Sequence, residues 1–134
     1  MIYIAGSMRD VEYLRVIRDR VRALGCDVSS TWMDRGYQYG DRRCTRQHMA
    51  LEAPRDRDEV KACSLFILNR RHRSVGKMVE LGFALAYDRP VWVVGDPAVP
   101  CVFWGMADRV FKDWCSVFTE LEKHNAPGRP VPPS

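Results

Sequence analysis

Three short apolar runs constrain this chain more than anything else in it: Ile2-Tyr3-Ile4-Ala5, Ser64-Leu65-Phe66-Ile67-Leu68 and Val91-Trp92-Val93-Val94. Each is short and continuously apolar, which is how a strand buried on both faces reads. Helical patterns separate them. Leu14, Ile17, Val21 and Leu24 recur at helical spacing, with arginines on the other faces, Asp10 as an N-cap and Gly25 as a C-terminal stop. A helix is expected over roughly 47–62, kinked or split at Pro54, another over about 77–87, and a last amphipathic one over 114–124 through Val117, Phe118 and Leu121. Cys26 to Thr31 and Arg109-Val110-Phe111 read as further strands. Strands alternating with helices imply an α/β fold, a flavodoxin/Rossmann-like three-layer sandwich around a mainly parallel sheet of about five strands.

The 134 residues suit one domain over 1–124, followed by a flexible tail over 125–134 that holds four prolines. Residues 32–46 lack periodicity and mix Trp32, Tyr37 and Tyr39 with charges, the pattern of a functional lid. Residues 96–105 form a second irregular loop. No apolar run approaches the roughly 20 residues that span a bilayer, and Met1 to Ala5 lacks the features of a signal peptide. A cytoplasmic protein without a membrane partner is expected. The five cysteines are odd in number and form no CxxC pair, and the three histidines lie far apart, so neither a zinc site nor a disulfide framework is expected. The net charge of +4 suits an anionic small molecule. Arg70, Arg71 and Arg73 have no aromatic residues interleaved with them, which disfavours a stable nucleic-acid partner and makes a solvated loop the plain reading.

In a parallel α/β sheet, ligands bind at the carboxyl ends of the strands. Loops leave those ends at Gly6–Asp10, Asn69–Gly76 and Gly95–Trp104. The second runs into a helix that carries Glu80. A carboxylate in the first turns of a helix meets the positive end of the dipole, which keeps it ionised and lowers its pKa. Such a group can attack an electrophilic carbon, or it can simply answer the dipole. Ser74 and the amides of Val75 to Lys77 can cradle an anion, and Gly6, Ser7 and Arg9 offer similar donors. Both loops can equally be ordinary strand–helix turns, which favour small residues anyway. Neither is a GxGxxG or GxxxxGK[ST] fingerprint. Arg55-Asp56-Arg57-Asp58-Glu59 is a charge-rich helical segment, usually a solvated face, yet it can aim Asp56 towards Glu80. Two carboxylates in one pocket are the usual equipment for breaking glycosidic bonds.

Gly76-Lys77-Met78-Val79-Glu80-Leu81-Gly82-Phe83-Ala84-Leu85-Ala86, followed by Arg89-Pro90-Val91-Trp92-Val93-Val94, resembles the nucleoside 2-deoxyribosyltransferase family. Tyr3-Ile4-Ala5-Gly6-Ser7-Met8-Arg9 and Ser74-Val75-Gly76 resemble its 2'-deoxynucleoside 5'-monophosphate N-glycosidase branch. The resemblance runs over residues 1–34 and 50–95. It implies that Glu80 is the nucleophile that captures the deoxyribosyl group, and that Asp56 orients the base or hands it a proton. The 24-residue interval from Asp56 to Glu80 fits the branch without a gap. By the same resemblance Ser7, Arg9, Ser74 and Gly76 hold the 5'-phosphate with backbone help from Gly6, Tyr3 lies near the sugar, and Trp32 stacks on the base. The implied substrate is a deoxynucleoside or deoxynucleoside monophosphate, the implied state a homodimer or higher homo-oligomer, and no metal or redox cofactor is required. The chain departs from the family in the loop Pro100-Cys101-Val102-Phe103-Trp104, where relatives often carry a polar residue that sometimes reaches into a neighbouring subunit.

Three alternatives remain open at this level. Transfer of the deoxyribosyl group to a second base uses the same nucleophile as hydrolysis. A cytokinin-type phosphoribohydrolase shares the general fold but needs a PGGxGTxxE signature, and Ser74 to Glu80 lacks its glycine pair and threonine. A nucleotide-sensing module without turnover would bind a nucleotide and release no base.

Overall fold

The computed structural model describes residues 1–35, 45–96 and 100–125; most of the 32–46 loop and of the tail lies outside them. The strands are β1 (Ile2–Ala5), β2 (Leu65–Asn69), β3 (Val91–Val94) and β4 (Arg109–Phe111). The helices are α1 (Val11–Ala23), α2 (Arg46–Ala62), α3 (Val75–Ala86) and α4 (Trp114–Asn125). The strands form one sheet in the order β1-β2-β3-β4, and every neighbouring pair is parallel. The expected count of about five strands is corrected to four among the described residues. The segment expected as a strand at 26–31 touches β1 only through a parallel bridge from Val28 to Ile2. At Ile2 the backbone bonds of a ladder form, the Ile2 amide donating to the Asp27 carbonyl and the Ser29 amide to the Ile2 carbonyl, both at 2.8 Å. At Ile4 side chains take over: Ser30 Oγ accepts from its amide at 3.1 Å and the Trp32 indole N–H donates to its carbonyl at 2.8 Å, so the ladder stops after one bridge.

Side-chain parity in β1 sorts the two cores. Ile2 and Ile4 pack with Leu14, Ile17 and Val21 of α1 and with Trp114, Val117 and Leu121 of α4. Tyr3 and Ala5 point the other way, into a cluster with Val60 of α2 and Leu81 and Ala84 of α3. β2 and β3 are divided between the same clusters, and the result is a three-layer sandwich. At about 1.5–3 kcal/mol for each fully buried large apolar side chain, these clusters hold the layers together. Gly25, at φ +91°, ends α1 in the left-handed region that glycine adopts without strain.

α2 is one continuous helix through Pro54, neither interrupted nor divided. Ala50, whose carbonyl loses its partner at Pro54, lies on the exposed face where water can replace it. Asp10 precedes α1 as expected but makes no side-chain cap bond, because its carboxylate is engaged elsewhere. No helix among the described residues is long and apolar enough to cross a membrane.

Candidate active site

All four strands point their carboxyl ends to one edge, so the loops after β1 and β2 emerge side by side. Ser7 starts a short 3-10 turn at Met8–Asp10, its Oγ accepting from the Arg9 amide at 3.2 Å. Ser74 caps α3, its Oγ accepting from the Lys77 amide at 3.3 Å. Between them opens a cleft of about 810 Å³ lined by Ser7, Met8, Arg9, Arg73, Ser74 and Val75, with Glu12 the one carboxylate at its wall. Two hydroxyl groups, a helix N-terminus and two guanidinium groups thus meet across the cleft, which suits an anion. A second cavity of about 470 Å³ lies on the β3 side of the same loop, against Arg70, Lys77, Met78 and Trp104. It contains neither Ser7 nor Arg9, so the paired-loop arrangement belongs to the first.

A buried strut holds the two loops together. Asp10, 4% exposed, meets His72 Nδ1 at 2.8 Å, accepts from Asn69 Nδ2 at 3.5 Å and stands 3.9 Å from Arg71 Nε. Lys77 Nζ donates to the Asn69 carbonyl at 3.0 Å and also to that of His72, and burial pushes its pKa down. The basic loop is therefore not simply solvated. Arg70 is buried, donates to the Gly95 carbonyl at 2.8 Å and lies over the Trp104 ring.

The glycines divide by what surrounds them. A Cβ on Gly6 would stand 2.4 Å from Leu14 Cδ1, so the close packing of β1's exit against α1 requires glycine there. At Gly76 the nearest atom to an added Cβ is Ser74 Oγ at 3.8 Å, so the fold has no steric need for glycine at that point.

Glu80 is the sixth residue of α3 and lies against the sheet face that carries Tyr3. The fully buried Tyr3 hydroxyl donates to Glu80 Oε2, and the Tyr3 ring is stacked on Phe66 with centroids 5.6 Å apart. The expectation of a lowered Glu80 pKa is corrected. Burial pushes it up to about 8; the Tyr3 hydrogen bond and Arg35 pull it down, while Asp56 and Glu59 push it up. A helix-terminal dipole contributes only about 0.3–1 kcal/mol, less than one pKa unit, and cannot match the loss of solvent around a carboxylate. Tyr3 is likewise raised well above its ordinary value, first by burial and then by Glu80. Tyr3 therefore acts on the carboxylate from beneath, without a solvent-facing surface of its own.

Asp56 comes to the same place from α2. Its Oδ1 stands 2.7 Å from Arg35 Nη1, and its pKa is raised by burial against the pull of Arg35. Arg35 also meets Glu52 and, at 2.9 Å, Glu59. Sequence reasoning missed this arginine. The available signal was the spacing of Glu52, Asp56 and Glu59, which places three acids on one helix face in need of a cation. Trp32 lies in a 3-10 turn at Trp32–Asp34, half-buried, its indole N–H donating to the Ile4 carbonyl at 2.8 Å beside the β1 exit. The structure thus forms two groups from the expected residues: Tyr3, Glu80 and Asp56, and Ser7, Arg9 and Ser74. Six residues of α3 at 1.5 Å rise separate Ser74 from Glu80, about 9 Å, a span that a sugar ring with its phosphate can bridge. Among the described residues no group of three or more His, Cys, Asp or Glu side chains is arranged to hold a metal ion, and Cys63, Cys101 and Cys115 are free thiols.

No protein-family model matches the sequence, and no curated protein matches it. Solved structures do share its fold. The CMP N-glycosidase BcmB of Clostridium botulinum is 16% identical, with 91% of this chain and 97% of that one covered at a TM-score of 0.59. A 2-deoxyribosyltransferase from Bacillus psychrosaccharolyticus is 18% identical, with 90% and 94% covered at 0.67. A conserved protein from Enterococcus faecalis V583 is 16% identical, with 91% and 96% covered at 0.65. The likeness is one of fold.

Proposed function

We propose that this protein is an enzyme of nucleotide metabolism that hydrolyses the N-glycosidic bond of a 2'-deoxynucleoside 5'-monophosphate, working as a homo-oligomer. The observation that carries the reading is the Glu80 carboxyl, held from below by the Tyr3 hydroxyl beside Asp56, one helix segment away from the Ser7–Arg9–Ser74 cleft. The phosphate sits in the cleft, bonded by Ser7, Arg9, Ser74 and the amide of Gly76, and fixes C1' over Glu80. Trp32 offers its ring to the base.

Glu80 first gives up its proton. One Glu80 oxygen then attacks C1' as the C1'–N bond breaks, and the bonding pair leaves with the base nitrogen. Asp56 orients the base, which takes up through water the proton that Glu80 gave up. The missing 2'-hydroxyl favours the oxocarbenium-like transition state, since no electron-withdrawing oxygen stands beside C1'. Water next attacks C1' of the glycosyl ester as the C1'–O bond to Glu80 breaks; its oxygen becomes the 1-hydroxyl, its surplus proton returns to Glu80, and deoxyribose 5-phosphate leaves.

The test is incubation with each deoxynucleoside monophosphate and each deoxynucleoside, with and without a second free base. Free base from a monophosphate alone supports the hydrolase. Exchanged nucleoside would move the reading to a transferase, and binding without base release would move it to a sensing module. Full activity in Glu80→Ala would overturn the mechanism.

A further inference from the structure

α2 turns an acidic face inward. Val60 is its one buried side chain, while Glu52, Asp56 and Glu59 share the inner side one turn apart. Three carboxylates at that spacing repel one another, and Arg35 reaches all three. Arg35 Nη1 donates to Glu52 and Nη2 donates to Glu59 Oε1 at 2.9 Å, while Asp56 Oδ1 stands 2.7 Å from Nη1 as a charge contact, without hydrogen-bond geometry. The Arg35 side chain is only 8% exposed. Its fork is fixed from behind as well, since Nη2 and Nε donate to Thr31 Oγ1 at 2.8 and 3.2 Å. Thr31 in turn donates its amide and hydroxyl to Glu59. The proposed reaction uses one of the three acids, and the other two have no part in it.

We propose, resting on the function proposed above, that Arg35 is a positioning residue: its guanidinium fork, braced by Glu52, Glu59 and Thr31, holds Asp56 in one orientation beside Glu80. Glu52 and Glu59 are the struts of that mount. A lysine cannot replace the fork, because a point charge satisfies one carboxylate at a time. Among the described residues, the other groups facing the array are the Tyr3 hydroxyl from β1, Glu80 from α3, and His48 and Arg55 of α2, whose nearest nitrogens stand 4.0 and 3.9 Å from Glu52. Removing Arg35 leaves the carboxylates of Asp56 and Glu80 without the cation that favours their ionised forms.

Wild type, Arg35→Met and Arg35→Lys are compared by carbon-13 carboxylate NMR titration without substrate, and by the pH profile of kcat/KM for base release. In Arg35→Met both Asp56 and Glu80 titrate about one unit higher, and the profile moves with them. Its kcat falls about 100-fold while KM changes only a few-fold, as expected when orientation is lost and binding is kept. Arg35→Lys keeps the titrations near those of wild type but loses about tenfold in kcat. Unmoved titrations in Arg35→Met overturn the inference. If that variant does not fold, Arg35→Lys decides alone, and a wild-type kcat there overturns it. If wild type releases no base, the function fails. The titration shifts then decide separately whether Arg35 holds Asp56 beside Glu80.

Discussion

Glu80 keeps its proton because the fold has taken water away from it faster than Tyr3 and Arg35 have compensated. A carboxyl that titrates at about 8 must be deprotonated before it can attack, so kcat/KM should rise with pH through a midpoint near 8 and level off only above it; a profile flat from pH 6 upward would contradict this. The same shift has a stability sign. Between an unfolded value near 4.5 and a folded value near 8, the native protein holds a proton that the unfolded chain has released. Stability contributed by the protonated group is therefore full below about 4.5 and is lost as pH climbs to 8, on the order of a few kcal/mol. Glu80→Gln keeps an acceptor for Tyr3 and cannot ionise. It is expected to unfold at higher denaturant than wild type at pH 8 and equally at pH 4.5, while losing about 1,000-fold or more in base release. Arg9→Ala acts at the other end of the site. Its KM for a monophosphate should rise about 10- to 100-fold while the unphosphorylated nucleoside is little changed, measured side by side on the two substrates.

Among the elements, the β1–α1 turn and the start of α3 look alike in sequence and differ in what holds them. Gly6→Ala drives a methyl group into Leu14 and should lose about 1–3 kcal/mol in a denaturant melt. Gly76→Ala meets no such obstacle, so its melt should match wild type while phosphate-dependent activity falls. Those two outcomes separate a packing glycine from a binding one. The elements that followed hydrophobic period were legible from the chain: β1, α1, β3 and α4 lie where their apolar residues put them. The 26–31 segment was misread because its ladder stops after Ile2, the Ser30 hydroxyl and the Trp32 indole taking the Ile4 backbone groups that a longer strand would bond. Glu80 lies on the helix expected for it, but its charge state was misread, since local sequence displays a helix dipole and not the burial that the packed sheet imposes on the carboxyl group. Arg35 was missed because its three partners begin 17 residues downstream on α2, where their spacing shows a need for a cation but not which cation meets it.

At the scale of the molecule, one parallel sheet sets the loops after β1 and β2 side by side at one edge, and the helices on either side do unequal work. α1 and α4 cover one face with aliphatic and aromatic packing, while α2 and α3 bring the carboxyl groups to the other. Val75, Val79, Phe103 and Met106 are exposed apolar side chains on α3 and the turn at Val102–Met106. Light scattering at micromolar concentration is expected to return at least the mass of a dimer, and a monomer mass would remove the homo-oligomer from the proposal. β1 itself carries a different kind of constraint. Tyr3 pairs with Phe66 in the sheet register and points to the carboxyl side only because an odd position falls there. Tyr3→Phe would remove one hydroxyl. Deleting Ile4 with the Gly6 turn in place would leave the strand as apolar as before, yet rotate the tyrosine to the opposite layer. In inheritance, this strand can accept changes of kind but not of count: lengthening or shortening it by one separates the reacting acid from its support, although no residue of the site is altered.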